Sequence, residues 1–345
     1  MPGPADSTAH PAGPAHPEGT APAGPVPASA AASACAAAPA CDAPQRGLRV
    51  LATGMLAVLQ DLGRPGQASL GVGHGGAADR GALALANRLV GNPVAAAGIE
   101  VTFGGLGVRA IGHLVVAVTG APCPLRTTAP DGRARARAVN AVFHLRPGEE
   151  LWLDPPASGL RSYLAVRGGI TVPPVLGSRS TDTLANIGPD RLSAGAVLPV
   201  GVAANPLPAI DFAPVPGPGG DEVWLRVLFG PRDDWFTAEA REHLVTEPYL
   251  VTSEMDRVGM RLSGPALARA RTGELPSEGM VRGALQVPPS GQPTLFLADH
   301  PLTGGYPVIA VVVDADIDRA AQARPGQRIR FRAASSPGAS RPAGG

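Results

Sequence analysis

The chain contains no lysine: all 29 of its basic residues are arginine. No Schiff base, no P-loop lysine on a nucleotide phosphate and no biotinyl lysine can therefore form on it. Cysteine is scarce, at three residues. Cys35 and Cys41 fall in an Ala/Pro-rich N-terminal stretch, leaving Cys123 alone in the body. That excludes a disulfide framework and fits a reducing compartment, so a cytoplasmic location is expected. No run of 18 or more apolar residues occurs, so no membrane association is expected. The formal net charge is +1 and no basic stripe is interleaved with aromatics, so no nucleic-acid partner is expected either. His74, His113, His144, His243 and His300 show no HxH, HExxH or Cys/His spacing, which leaves no metal site to assign from spacing. A G-x-S-x-G nucleophile elbow is also missing.

What is abundant is Gly (45) and Pro (39). Residues 1–45 contain no Leu, Ile or Phe, cannot bury enough apolar surface to offset ordering entropy, and are expected to be a disordered tail. Residues 334–345 share that composition. Between them, short apolar runs punctuated by Gly and Pro read as strands. The expected strands are 48–52, 55–60, 98–103, 114–119, 139–145, 149–153, 161–166, 223–229, 249–253, 284–287, 293–298, 307–313 and 327–332. Helical spacing predicts three helices, in 79–92 with Asp79 as cap, in 233–244 with Asp233 or Asp234 as cap, and in 314–322. The Pro/Gly-rich stretch 206–220 reads as a linker, dividing the body into 46–205 and 221–333. Three segments, RPGEELWL (146–153), LSAGAVLPV (192–200) and RPGQRIRF (324–331), repeat a turn-then-strand pattern and hint at two related β units.

Gly71-Val72-Gly73-His74-Gly75-Gly76 matches G-x-G-x-x-G before a helix, with Glu100 downstream. A dinucleotide fold needs a βαβ series, and helices are too few for one. The glycines are read instead as a loop needing positive φ or close backbone approach. Three further loops each hold an Asp near an Arg: Gln60-Asp61-Leu62-Gly63-Arg64, Gly177-Ser178-Arg179-Ser180-Thr181-Asp182 and Asp256-Arg257-Val258-Gly259-Met260-Arg261. An Asp–Arg pair tying down each loop is the plain expectation. Convergence of several such loops on one cleft would make an anion site, because Arg captures carboxylate or phosphate bidentately.

The blocks AVLQDLGRPGQASLGVGHGGAADRGALALANRLVGNPVAAAGIEVTFGG (57–105), RSYLAVRGGITVPPVLGSRSTDTLANIG (161–188), DRVGMRLSGPAL (256–267) and GALQVPPSGQPTLFLADHPLTGGYPVIAVVVDADIDRAAQARPGQRIRF (283–331) resemble the KipA-type proteins. That family comprises the 5-oxoprolinase C subunit, allophanate hydrolase subunit 2 and part of the urea carboxylase carboxyltransferase domain. The resemblance implies a mainly β fold with a few helices, organised as two cyclophilin-like β-barrel domains. It implies one component of an ATP-dependent 5-oxoprolinase, hydrolysing a cyclic amide with a KipI-type B subunit and the 5-oxoprolinase A subunit. ATP and Mg²⁺ would act in that assembly. Placement in the family's blocks points to Asp299, Thr303 and Tyr306 as catalytic candidates, with Asp299 as general base or Mg²⁺ ligand. Gln60, Asp61, Arg64, Asn87, Arg179, Asp182, Arg257, Arg261 and Gln286 are the substrate- or anion-binding candidates. Two departures stand out. The family's D-x-Q-T-T-G-G-Y becomes Asp299-His300-Pro301-Leu302-Thr303-Gly304-Gly305-Tyr306, and its Gly-Asp becomes Gly195-Ala196. Two other roles remain open: a carboxyltransferase component for urea or a related amide, needing a separate biotin carrier, and a non-catalytic regulator of a histidine-kinase inhibitor.

Overall fold

The computed structural model describes residues 45–334. The expected disordered tails, apart from Gln45 and Ala334 at their inner ends, lie outside the described residues. Among the described residues the architecture is mainly β with three short α-helices. Residues 47–199 build two antiparallel sheets. The six-stranded one runs in the order Val197–Pro199, Gly47–Thr53, Leu106–Ile111, Glu150–Leu153, Leu125–Thr128, Ala134–Arg137. The five-stranded one runs Leu56–Gln60, Gly98–Thr102, Arg161–Val166, Leu114–Gly120, Val142–Leu145. Leu48, Val50, Leu106 and Val108 from the first sheet share a core with Leu59, Ile99, Val116, Val118 and Leu164 from the second. Alternate residues of the second sheet, Ala117 and Ala165, face the other way, onto Ala86 and Leu89 of helix α1 (Arg80–Leu89). Burial on both faces is why 114–119 and 163–166 read as unbroken apolar runs and not as an alternation.

Seven strands after residue 221 close into a barrel. Its seam is the parallel pairing of Glu222–Phe229 with Arg328–Ala333. Leu225, Val251, Leu262, Leu285, Leu295, Ile309 and Phe331 fill its core, joined by Leu244 of α2 (Ala238–Thr246) and Ile317 of α3 (Asp314–Ala320).

Most expected strands exist within a residue or two of their ends, but several observed ones were not expected, among them Leu106–Ile111, Leu125–Thr128, Ala134–Arg137 and Gly259–Ser263. The first of these contains Gly107, and glycine lowers a strand's apparent propensity. It is there because a Cβ would sit 2.5 Å from the Trp152 ring on the neighbouring strand. Asp79 caps α1 as expected, its carboxylate accepting from Ala82 N at 2.8 Å, and Gly91 ends the helix at φ 70°. The second helix begins later than expected. Asp233–Trp235 forms only a 3-10 turn, and Thr237 is the cap that accepts from Ala240 N.

Candidate functional site

The expected Asp–Arg pairs within each loop do not form: Asp61 ties its loop to another, while Asp182 and Asp256 fasten their own turns through backbone N–H groups. Asp61 accepts from the hydroxyls of Ser178 and Ser180, both at 2.6 Å, and from Arg179 N at 2.6 Å and Gly63 N at 2.8 Å. Asp182 accepts from Leu184 N and Ala185 N through Oδ1. Asp256 accepts from Val258 N and Gly259 N, making its own turn, while Arg257 reaches elsewhere. Burial explains the pattern at Asp61 and Asp182. Their carboxylates are out of water, and short loops present serine hydroxyls and free N–H groups that satisfy them.

Arg257, 1% exposed, links three chain segments. Its Nε and Nη2 meet Asp299 at 2.9 and 3.0 Å, its Nη1 pairs with Glu100, and Nη2 also donates to the Gly76 carbonyl. Burial alone would lower the guanidinium's pKa, but Glu100 and Asp299 outweigh it and hold the charge firmly. Glu100 accepts in addition from Tyr163 Oη at 2.8 Å and Ala78 N at 2.9 Å. The Tyr163 hydroxyl is pushed well above its usual value, by burial first and then by Glu100 and Asp79. Asp299 accepts from both Thr183 N and Thr183 Oγ1. Glu100, Tyr163 and Thr183 went unassigned from sequence. A glutamate inside the apolar strand GIEVT was the available signal, since a buried acid needs a partner.

Arg64 is equally buried but differently satisfied. Its Nη2 donates to the Ser180 carbonyl at 2.5 Å, whereas Nη1 has no partner among the described residues. The glycine loop shows where that group faces. A Cβ added at Gly75 would lie 3.5 Å from Arg64 Nη1, 3.9 Å from Asp299 Oδ1 and 4.0 Å from Asp182 Oδ2. One added at Gly73 would lie 3.7 Å from Asp182 Oδ2 and 3.8 Å from the His300 carbonyl. Close approach falls at Gly76, φ 88°, where a Cβ would sit 2.7 Å from the Leu62 carbonyl carbon. At Gly75, φ 61°, a Cβ would meet only ordinary contacts, which leaves a gap edged by one open donor and two carboxylate oxygens. His74 and His300 stand half-buried at its rim. The His74 imidazole is held below its usual pKa, by burial first and by the nearby Arg80, Arg282 and His300. Its Nε2 bonds the Leu62 carbonyl at 2.9 Å.

The structure therefore gathers Gln60, Asp61, Arg64, Arg179, Asp182, Arg257 and Asp299 into one network. Gln60 donates to the Thr181 carbonyl, and Arg179 Nε to that of Val172, so both brace the loops. Other candidates fall elsewhere. Asn87 bonds the carbonyls of Val94 and Ala96 and closes the turn after α1. Arg261 pairs with Glu254 on the open surface. Gln286 donates to the Tyr306 carbonyl, Thr303 is exposed, and the Tyr306 ring lies 5.8 Å from the Arg269 guanidinium. Arg257 and Thr183 engage both oxygens of the Asp299 carboxylate. Among the described residues no group of three or more His, Cys, Asp or Glu could hold a metal ion.

A mainly β chain with this loop network matches, over residues 70–333, the family described as carboxyltransferase domain, subdomains A and B, and belongs to it. Among its relatives, the 5-oxoprolinase C subunit of Escherichia coli (strain K12) is 38% identical, over 82% of this chain and 90% of that protein. The 5-oxoprolinase C subunit of Haemophilus influenzae is 34% identical, over 81% and 88%. The solved K. lactis urea amidolyase superposes with a TM-score of 0.78 at 28% identity, over 86% of this chain and 19% of that one.

Proposed function

We propose that this chain is the C subunit of a 5-oxoprolinase, acting with the A and B subunits to open 5-oxo-L-proline to L-glutamate at the expense of ATP. The observation that carries the reading is the 38% identity to a 5-oxoprolinase C subunit, spanning 90% of that protein. The gap at Gly75 supports it chemically. A lactam holds its N–H and C=O on one edge in fixed cis geometry. An unpartnered guanidinium N–H beside carboxylate oxygens offers that edge a donor and acceptors together. Donation from Arg64 Nη1 to the lactam oxygen would polarise the carbonyl carbon toward attack by water, and a donor aimed at the charge that then develops on that oxygen is worth about 10²–10³ in rate. ATP and Mg²⁺ belong to the proposed assembly. The lactam contact is the part this reading gives to the described residues.

The test is reconstitution with the neighbouring subunits, following ADP and glutamate release from 5-oxoproline with Mg²⁺. Turnover that requires all three components is expected; none with all three present would end the reading. The likeness to urea amidolyase favours a second reading, carboxyl transfer to urea or a related amide. With no lysine here that chemistry needs a separate biotin carrier, and urea-dependent turnover supported by such a carrier would select it.

A further inference from the structure

A cavity of about 770 Å³ lies between α1, α3 and the chain segment 212–219. This is within the range of about 300–1,000 Å³ usual for small-molecule sites. Leu85, Val139, Val223 and Trp224 give it apolar walls. Its cover is anchored on one side where Ala141 pairs with Phe212 and Ala213 N donates to the Asn140 carbonyl. On the other side Gln327 Nε2 holds the Gly220 carbonyl at 2.7 Å. Between these anchors, Pro214-Val215-Pro216-Gly217-Pro218-Gly219 makes no hydrogen bond among the described residues.

The floor is Asp79, 8% exposed. Its carboxylate accepts from Ala82 N and, at 2.7 Å, from Gln322 Nε2, and no ion pair to it exists among the described residues. An anion is not the natural occupant, because the donors nearby are already used. Arg80 N and Gly81 N donate to Asp318, and Leu83 N to the Asp79 carbonyl. Gln322 Nε2 is shared between Asp79 and the Arg161 carbonyl, while Arg319 is held by Asp316. What remains open on this floor is acceptor capacity, on Asp79 Oδ2 and Asp318 Oδ2. A buried carboxylate without a counter-charge, beneath apolar and aromatic walls, suits a cation with an apolar body.

We infer that this cavity binds a small organic cation, an ammonium bearing an aryl or alkyl group, with its nitrogen on Asp79 and Asp318 and its body against Val139, Val223, Trp224 and Phe212. The site is distinct from the Arg64 gap and is read by binding to this chain alone, so its failure and that of the proposed enzymatic role are separable.

The experiment is calorimetric titration of the full chain with phenethylammonium, 2-phenylethanol and phenylacetate. Saturable binding of the ammonium is expected, at least tenfold weaker binding of the alcohol, and none of the carboxylate. Asp79→Asn, which retains a capping side chain, should weaken the ammonium at least tenfold. Phe212→Ala, at a 54% exposed roof position, should weaken it severalfold with an unchanged melting transition. Should Asp79→Asn not fold, pH provides the second reading. Asp79 is raised to about 6 by burial first and Asp318 next, with Glu100 adding to the rise. Arg80, Tyr163, Arg282, Arg319 and Glu222 are also ionisable and stand around this floor and cavity. Ammonium binding should therefore fade as pH falls below about 6. Phenylacetate binding as tightly as phenethylammonium, no saturation at millimolar ammonium, or undiminished affinity in Asp79→Asn or at pH 5 would overturn the inference.

Discussion

Arg257 and Arg64 are the same residue type, each 1% exposed, about as far from water as an arginine can be. Arg257 has each terminal nitrogen engaged by a carboxylate or carbonyl, whereas Arg64 keeps Nη1 without a partner among the described residues. The first is a clamp that joins Glu100 on its strand, Gly76 in the glycine loop and Asp299 beyond the barrel strand Thr294–Phe296. The second is held in place by the Ser180 carbonyl yet retains one strong donor, facing the gap beside Gly75. Leaving a buried donor unsatisfied costs about 1–3 kcal/mol. Arg80, Arg161, Arg269 and Arg282 each leave a buried Nε without a hydrogen-bond partner among the described residues as well, so what sets Arg64 apart is the position of its open Nη1 beside the carboxylates of Asp182 and Asp299 near Gly75.

The largest way to break the contrast is Arg257→Met. Asp299 then loses its counter-charge in a buried place and Glu100 keeps only the longer approach of Arg161 at 3.7 Å, so stability should fall by about 3–5 kcal/mol in urea unfolding. Adding Glu100→Gln should recover part of it. A single-mutant loss below about 1 kcal/mol would show the clamp to be dispensable. Arg64→Met removes the donor to the buried Ser180 carbonyl and should cost less, about 1–3 kcal/mol. It should nevertheless lower turnover of the assembled complex about 10²-fold, equal to about 2.7 kcal/mol of transition-state stabilisation. Equal turnover would remove Arg64 from the chemistry.

Asp79 gives a smaller effect, carried by pH. Its folded value near 6 exceeds the ordinary 3.8. Between those values folding takes up a proton, so stability should be greater at pH 4 than at pH 6 by on the order of 2 kcal/mol from this group. Asp79→Asn should flatten that slope in melts taken across the range. Smallest of all is Arg261→Ala. Its exposed pair with Glu254, at 66% and 67% side-chain exposure, should contribute less than about 0.5 kcal/mol, and neither stability nor turnover should move beyond that.

The elements legible in sequence were those with a local physical cause. Asp79 and Gly91 bracket α1 because a cap and a positive-φ stop act within a few residues. The runs at 114–119 and 307–313 announce strands because β-branched residues fill pleated, buried faces. Family blocks then pointed to Arg64, Asp182, Arg257 and Asp299, which do converge, and also to Asn87 and Arg261, which do not. Block membership cannot separate them, since Asn87 occupies its block to close a turn and Arg261 to pair on the surface.

Composition and local pattern thus settled the chemistry this chain cannot do, the β-rich class and where its first helix starts and stops. Pairing was another matter. Asp61 chose Ser178 and Ser180 over its neighbour Arg64, and Arg257 chose Glu100 and Asp299 over Asp256. A buried charge is stabilised by whichever partner the packed chain brings within about 3 Å, and sequence separations of 117 and 157 residues put that choice beyond any local rule. Only the tertiary structure could decide it, along with the open face of Arg64 and the roofed cavity over Asp79.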